Sequence, residues 1–380
     1  MNILHICLAS AFTEGMSYQE NLLLNQNIKD GHDVTIISDC NKYIDGNMAY
    51  TPPEDRVLSN GIRLIRLEYD KIINRFISSK IRKVSGLYNL ILETAPDVIL
   101  FHGVAGWELL TVSKYKKNHP EIRLYLDSHE DFNNSGTNFI SKTVQYRWFN
   151  RTLVKSVLPY VDKILCVSYE SFDFLRQMYC VPDDKIESYP LGGIVLDDTV
   201  RSDKRDKMRR DLSLEDGDIL LVHSGKMDKL KRTEELLKAF NMVTNERIKL
   251  ILIGSMCDET RETLESMILS DQRIKFIGWK SVNELMEYLC ACDLYVQPGS
   301  QSATMQNALC CGSAVAVFPN LSYKFLLKEG AFYIESSQDI ERILQDILRN
   351  RDILTEKRNQ GFKIAQEVLD YKVLAKRLYR

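Results

Sequence analysis

Long apolar runs are missing from this sequence. No stretch reaches about 18 apolar residues, so no transmembrane helix is expected. The opening segment MNILHICLAS is apolar but has no basic residues ahead of it, which reads as a first strand and not as a signal peptide. An excess of one charge is missing too. The 50 basic and 52 acidic side chains leave a formal charge of −2, and nothing global draws the chain to nucleic acid. None of the nine cysteines forms a CxxC pair. Their odd number, and the placement of Cys7, Cys166 and Cys290 in apolar runs, read as reduced, buried thiols of a cytosolic protein. No internal repeat is present.

What is there is an ordinary globular balance, 44% hydrophobic and 27% charged over 380 residues, enough for two domains. Short apolar runs alternate with helical stretches. In the first half they are NILHICLA, DVTIIS, IRLIRLE, DVILFHG, IRLYLDSH and KILCVS. In the second half they are ILLVHSG, IKLILIGS, IKFIGW, LYVQPG and AVAVFP. Near-continuous apolar strands between helices imply parallel sheets covered on both faces, and hence an α/β chain of two doubly wound, Rossmann-like domains. Pro190, Gly192, Gly193 and the charge run after them mark the boundary. We expect domains over 1–192 and 193–360, with ligands at the carboxyl ends of the strands in a cleft between them.

Two segments carry candidate chemistry. In VHSGKMDKLKRTEELLKAF a strand is expected to end at His223, with Gly225 turning and Thr233 capping a helix. Lys226 and Lys231 flank that loop, either as solvated lysines or as a phosphate site beside a helix start. In PGSQSATMQNALCCG, residues 298–312, no residue is charged. A helix is expected from near Ser302 to Gly312. Amides of Ser302, Ala303 and Thr304 at its start are either a backbone cradle for an anion or simply the end of a serine-capped helix.

Taken in order, these segments resemble retaining GT-B glycosyltransferases of family 4. DGHDVTIIS, PDVILFHG, VDKILCVS, IESYPLGG, HSGKMDKLKRTEELLKAF and IKFIGWKSVNELMEYLCACDLYVQPGSQSATMQNALCCGSAVAV each echo a family motif. The resemblance implies a GT-B fold and transfer of a sugar from a UDP- or GDP-sugar to a glycan or lipid-linked acceptor, with retention and without a divalent metal or other cofactor. No Asp-x-Asp appears in the donor loops, which agrees. It makes Lys226 and Lys231 ligands of the donor diphosphate, with Arg232 sharing that role. His102 would face the donor sugar, and Gly15 would lie in the glycine loop after the first strand. Gly225, Gly254 and Gly278 would line the donor site by backbone. Ser300, Gln301, Ser302, Ala303, Thr304 and Asn307 complete the donor set. Glu20, Asn21 and His129 are acceptor candidates. A metal site built around His129 with Asp127, Glu130 and Asp131 fits no standard spacing.

One departure stands out. The family often has two glutamates in the second segment, and here those positions are Gly299 and Asn307. A nucleotide-sugar binder that has lost turnover is therefore a rival reading; a sugar-nucleotide 2-epimerase, which shares the two-domain plan but whose catalytic carboxylates are not apparent here, is another. The resemblance also implies that residues 361–380 cross back to the first domain, and that the enzyme works in cell-surface polysaccharide synthesis, in the cytoplasm at the inner membrane face. Segments 71–86 and 142–157 are basic and amphipathic. They are either helices packed on the sheet or a peripheral membrane contact.

Overall fold

The computed structural model describes residues 1–44, 47–139 and 141–379. The chain divides into two compact units. Met1–Pro190 and the chain end from Leu374 form one, and Leu191–Val373 form the other. The return to the first unit therefore comes later than the sequence reading places it. Residues 361–369 remain with the second unit, where Ala365 and Leu369 are buried in its core.

The N-terminal unit contains β1 (Asn2–Cys7), β2 (Asp33–Asp39), β3 (Asn41–Ile44), β4 (Asn47–Tyr50), β5 (Glu54–Val57), β6 (Arg63–Leu67), β7 (Val98–His102), β8 (Arg123–Ser128), β9 (Lys163–Cys166) and β10 (Ile186–Ser188). Its sheet runs β10-β9-β8-β7-β1-β2-β6-β5. All pairings are parallel except that of β5, which closes one edge antiparallel to β6. β3 and β4 form a separate hairpin. The central strands are buried on both faces. Leu4, Ile6, Ile99 and Phe101 join one apolar layer, and Cys7, Ile36 and Leu64 the other. That is why these strands read as unbroken apolar runs.

The C-terminal unit contains β11 (Ile219–Met227), β12 (Ile248–Met256), β13 (Ile274–Phe276), β14 (Leu294–Gln297), β15 (Ala314–Val317) and β16 (Phe332–Tyr333), in the order β13-β12-β11-β14-β15-β16, all parallel. This is the doubly wound order in which the chain reverses direction across the sheet between β11 and β14. Crossovers on opposite faces leave a crevice at the strand ends there. In the N-terminal unit the same reversal lies between β1 and β7. Two candidate residues sit at these points, His102 at the end of β7 and Lys226 near the end of β11.

The short elements β3, β4, β5 and β10 have no apolar run to announce them. Among the described residues no helix is long and apolar enough to cross a membrane.

Candidate functional site

The donor-side candidates gather at the carboxyl ends of β11, β12 and β13. β11 does not stop at His223. It continues to Met227, and Gly225 pairs with Gly254 across to β12. Gly225 is thus a strand residue and not a turn. Gly254 has φ +140°, and a Cβ there would lie 1.9 Å from the Gly225 carbonyl oxygen. Only glycine fits such a contact. The Gly254 N–H donates to the Gly278 carbonyl at 2.9 Å. The three glycines therefore leave three neighbouring strand ends as bare backbone.

The turn comes one step later. The Asp228 carboxylate accepts from the Lys231 N–H at 3.1 Å. Lys229–Lys231 make one 3₁₀ turn, and Arg232 enters the helix Thr233–Met242 in the left-handed region, φ 54°. Thr233 is consequently the first helical residue and not the cap. It is buried, and its hydroxyl pairs with His223 Nε2 at 2.9 Å. His223 Nδ1 reaches the Val296 carbonyl at 2.8 Å, so the proton belongs on Nδ1 and Nε2 accepts from Thr233. Burial, reinforced by the charge of Lys231, lowers this histidine to about 4 and keeps it neutral.

The expected lysines differ in setting. Lys226 is exposed. Lys231 is buried, and its Nζ donates to the carbonyls of Ser300 and Gln301, both at 3.1 Å. Burial lowers its pKa, opposed by Asp228. An ammonium carries three donors, so one N–H of Lys231 remains. Arg232 is not available to a phosphate. Its guanidinium is paired with Glu235 and donates to the carbonyls of Pro298 and Glu335 at 3.0 and 2.8 Å.

The same loop explains Gly299. A Cβ at this position would meet the Leu230 carbonyl oxygen at 2.0 Å and the Lys231 carbonyl carbon at 2.6 Å. Ser300 N–H donates to Leu230 O at 2.8 Å. No side chain fits where the resemblance places a glutamate, because the backbone of 230–231 fills the space. Gln297, fully buried, donates to the Ser300 carbonyl and to the Tyr323 hydroxyl. Ser300 and Gln301 are exposed at the tip.

The expected run of free amides is shorter than the sequence suggested. The helix is Thr304–Cys310. Ser302 N–H donates to Tyr323 Oη at 3.1 Å, and Thr304 N–H to Ser302 Oγ at 3.2 Å. Among the described residues only Ala303 of the three keeps an N–H without an acceptor. Asn307 lies against Gly193, where a Cβ would come within 2.9 Å of its Oδ1.

In the N-terminal unit His102 is 4% exposed and is held on both sides. Nδ1 meets Asp127 Oδ2 at 2.6 Å and Nε2 meets His5 Nδ1 at 3.0 Å. His5 Nε2 reaches Asn27 Oδ1 at 2.8 Å, and the Asn27 amide donates to Tyr379 Oη. Burial works against charge on His102, but Cys7 and Asp127 outweigh it and raise its pKa well above the usual value. Burial opposes charge on Asp127 as well, yet His102 holds it below the carboxylate range. Burial, then the charge of His102, lowers His5 to about 3. The arrangement is a buried imidazolium–carboxylate pair donating to a neutral histidine. Neither nitrogen of His102 is open to a sugar, contrary to the role the resemblance assigns. Neither His5 nor Tyr379 stood out in the sequence; only a histidine inside an apolar strand hinted at the first.

Gly15 has φ +75° in the loop after β1, which passes into the helix Gln19–Lys29. Glu20 is half-buried. Asn21 is buried, not solvated, and donates to the Thr13 carbonyl at 2.9 Å. Its Oδ1, and both amide atoms of buried Gln19, have no partner among the described residues. His129 is exposed, 3.9 Å from Asp127. Its neighbour Glu130 accepts from Tyr179 Oη at 2.9 Å, and burial pushes its carboxyl up to about 7. Among the described residues no group of three His, Cys, Asp or Glu could hold a metal ion.

Residues 204–367 match the family described as Glycosyl transferases group 1. No curated protein sequence matches the chain. Among solved structures, sucrose-phosphate synthase (tll1590) from Thermosynechococcus elongatus is similar over 99% of this chain and 97% of its own, with TM-score 0.67 and 15% identity. Anabaena Alr3699/HepE in complex with UDP is similar over 100% and 98%, with TM-score 0.67 and 15% identity. WaaG, a glycosyltransferase involved in lipopolysaccharide biosynthesis, is similar over 99% and 98%, with TM-score 0.61 and 14% identity. At these identities the likeness establishes the fold, which is GT-B.

Two outcomes test the electrostatics. Asp127→Asn removes the partner of a buried charge and lowers unfolding free energy by about 3–5 kcal/mol in denaturant titration. Glu130 keeps its proton to about pH 7 when folded and only to its ordinary value when unfolded, so its contribution is present at low pH and fades between the two. Glu130→Gln therefore gains thermal midpoint over wild type at pH 8 and not at pH 4; equal differences at both would contradict the assignment.

Proposed function

We propose that the protein is a glycosyltransferase that moves a sugar from a nucleotide diphosphate donor to a glycan or lipid-linked acceptor, with retention, in the making of a cell-surface polysaccharide. The observation that carries this reading is the C-terminal strand edge. Three glycines bare the backbone beside Lys226, and Lys231 keeps one N–H, inside the segment that matches the group 1 family. Such an edge suits a diphosphate, which needs close backbone approach and positive charge. UDP is the favoured nucleotide, since HepE is known in complex with UDP and with UDP-glucose; a GDP-sugar remains the other donor class.

The chemistry follows from charge. Breaking the sugar–phosphate bond leaves negative charge on the β-phosphate and an oxocarbenium-like sugar. Lys226 and Lys231 would stabilise the departing phosphate, a role assigned to metal in other transferases. No carboxylate nucleophile is placed at Gly299, where no side chain fits, so retention would come from same-face attack and not through a covalent glycosyl-enzyme. Ser300 and Gln301, exposed at the loop tip, would then meet the sugar, and Asn307 a ribose hydroxyl. The unpartnered amide atoms of Gln19 and the unpartnered Oδ1 of Asn21 support a ligand at the start of the first helix, since buried polar atoms normally find partners.

A second reading draws on the same loop. With Gly299 and Asn307 in place of acids, the protein would bind a nucleotide sugar without turning it over. Incubation with a panel of UDP- and GDP-sugars separates the two. Slow nucleotide release marks the transferase, binding alone marks the second reading, and neither would sink both. Lys226→Ala, which touches nothing structural among the described residues, lowers kcat/KM about 10²-fold with an unchanged melting temperature.

The basic segments 71–86 and 142–157 present two kinds of apolar side chain. Leu153, Val154 and Val157 pack inward, as a helix on a sheet does. Ile73, Phe76 and Trp148 are 88%, 70% and 70% exposed among basic residues. We propose that these three anchor the N-terminal unit on an anionic bilayer. The protein should sediment with anionic liposomes at low salt, and the double variant Phe76→Ser/Trp148→Ser should not; indifference of the wild type to such liposomes would refute the contact.

A further inference from the structure

Away from the strand edges, the C-terminal unit holds a cavity of about 320 Å³. Ser302 and Ala303 precede the helix Thr304–Cys310, and this cavity lies at its other end, where Cys311 and Gly312 line it. Seven residues of helix put about 10 Å between the two places. The other walls come from the helices Asp198–Asp211 and Asp352–Ile364. Arg201 and Arg205 are four residues apart and share one face of the first helix, and Arg358 comes from the second. Gly312 lets Arg201 close in, since a Cβ there would lie 2.8 Å from Arg201 Nη1. The Phe362 ring supports the same guanidinium, 4.0 Å from its centre.

Positive charge is in excess here. Arg201 Nη2 donates to Asp198 at 2.8 Å. Asp293 is already engaged, with Arg205 at 2.5 Å, Arg209 at 3.0 Å and the Leu220 N–H at 2.9 Å. Arg205 also donates to the carbonyls of Cys290, Ala291 and Cys292, and Arg358 Nε to the Gly312 carbonyl at 2.9 Å. Arg358 Nη1 stands 3.9 Å from Asp293, too far for a hydrogen bond. Four guanidinium groups thus share two carboxylates. The helix carbonyl ends they cover, each worth about half a negative charge, offset only part of the difference. Among the described residues, both terminal nitrogens of Arg358, and Nε and Nη1 of Arg201, have no hydrogen-bond acceptor. Burial, then the charge of Arg205, lowers the Arg358 guanidinium from its ordinary range, against the pull of Asp293.

We propose that this cavity binds the phosphate monoester of a small hydroxylated molecule, with the phosphate held by Arg201 and Arg358. Arginine forks match phosphate oxygens, and donors from two helices reach a tetrahedral group from two sides. A phosphate monoester brings about −1.5 to −2 charges at pH 7, which suits this wall better than the single charge of a carboxylate. Ser202, Thr355 and Asn359 line the cavity with hydroxyl and amide groups for the rest of the ligand. Small-molecule sites run from about 300 to 1,000 Å³, and this volume is at the lower end, so the ligand is small. The site shares no residue with the donor edge and does not depend on the proposed sugar transfer.

The test is titration calorimetry on the full chain, with glycerol 3-phosphate and inorganic phosphate as probes. Glycerol 3-phosphate should bind more tightly than inorganic phosphate. The strand edge near Lys226 is also proposed to take phosphate, so the titration is repeated on Lys226→Ala, where the affinity should be unchanged. Loss of binding in that variant would assign the signal to the donor edge and overturn this site. Arg201→Gln and Arg358→Gln should each weaken binding about 10- to 100-fold. Thr355→Glu places a like charge at an exposed position of the wall. It should abolish binding with an unchanged melting temperature, and it keeps the test valid even where an arginine variant fails to fold. Wild-type affinity in Thr355→Glu, equal affinity for the two phosphates, or no heat from either would overturn the proposal.

Discussion

A single ammonium joins the two loops on which the donor-side candidates lie. Lys231 Nζ donates to the carbonyls of Ser300 and Gln301, and the backbone of 230–231 occupies the space beside Gly299. Charge-assisted bonds of this kind are stronger than neutral ones, and the side chain that donates them is buried. The contact fixes where the loop tip stands and leaves one donor of the ammonium unused. It also accounts for a glycine at the position where the resemblance places a glutamate. A side chain at 299 and the present path of residues 228–232 exclude each other.

Around that contact the unit divides its basic residues by role. Lys226 is exposed and has no structural duty. Arg232 is locked into Glu235 and two carbonyls. Arg205 and Arg209 cover the carbonyl end of a helix, where cations are favoured. Lys226, Lys231 and Arg232, close together along the chain, thus stand in three different settings, which their charge alone does not distinguish.

The N-terminal unit is organised by a different constraint. A buried histidine must satisfy both nitrogens, and His102 does so with Asp127 and His5. The chain continues through Asn27 to Tyr379, so the end of the chain is tied to the centre of the sheet. The carboxyl edge of β7 therefore holds a buried charge whose position depends on residues far away in sequence.

Apolar runs were enough to determine the alternation of strands and helices and the parallel sheets, because burial on both faces forces that pattern wherever it occurs. The loop lysines stood out as candidates because a charge beside a helix start is a local signal, whereas Gly225 read as a turn and proved to be a strand residue. What only the tertiary structure decided is pairing. That Thr233 is bonded to His223 and is not a cap, that His102 has no free nitrogen, and that the Ser302 amide is taken by Tyr323 all depend on groups brought together from separate elements. A side chain's role is set by what lies within a few ångströms of it, and a linear pattern records neighbours along the chain, not across the fold.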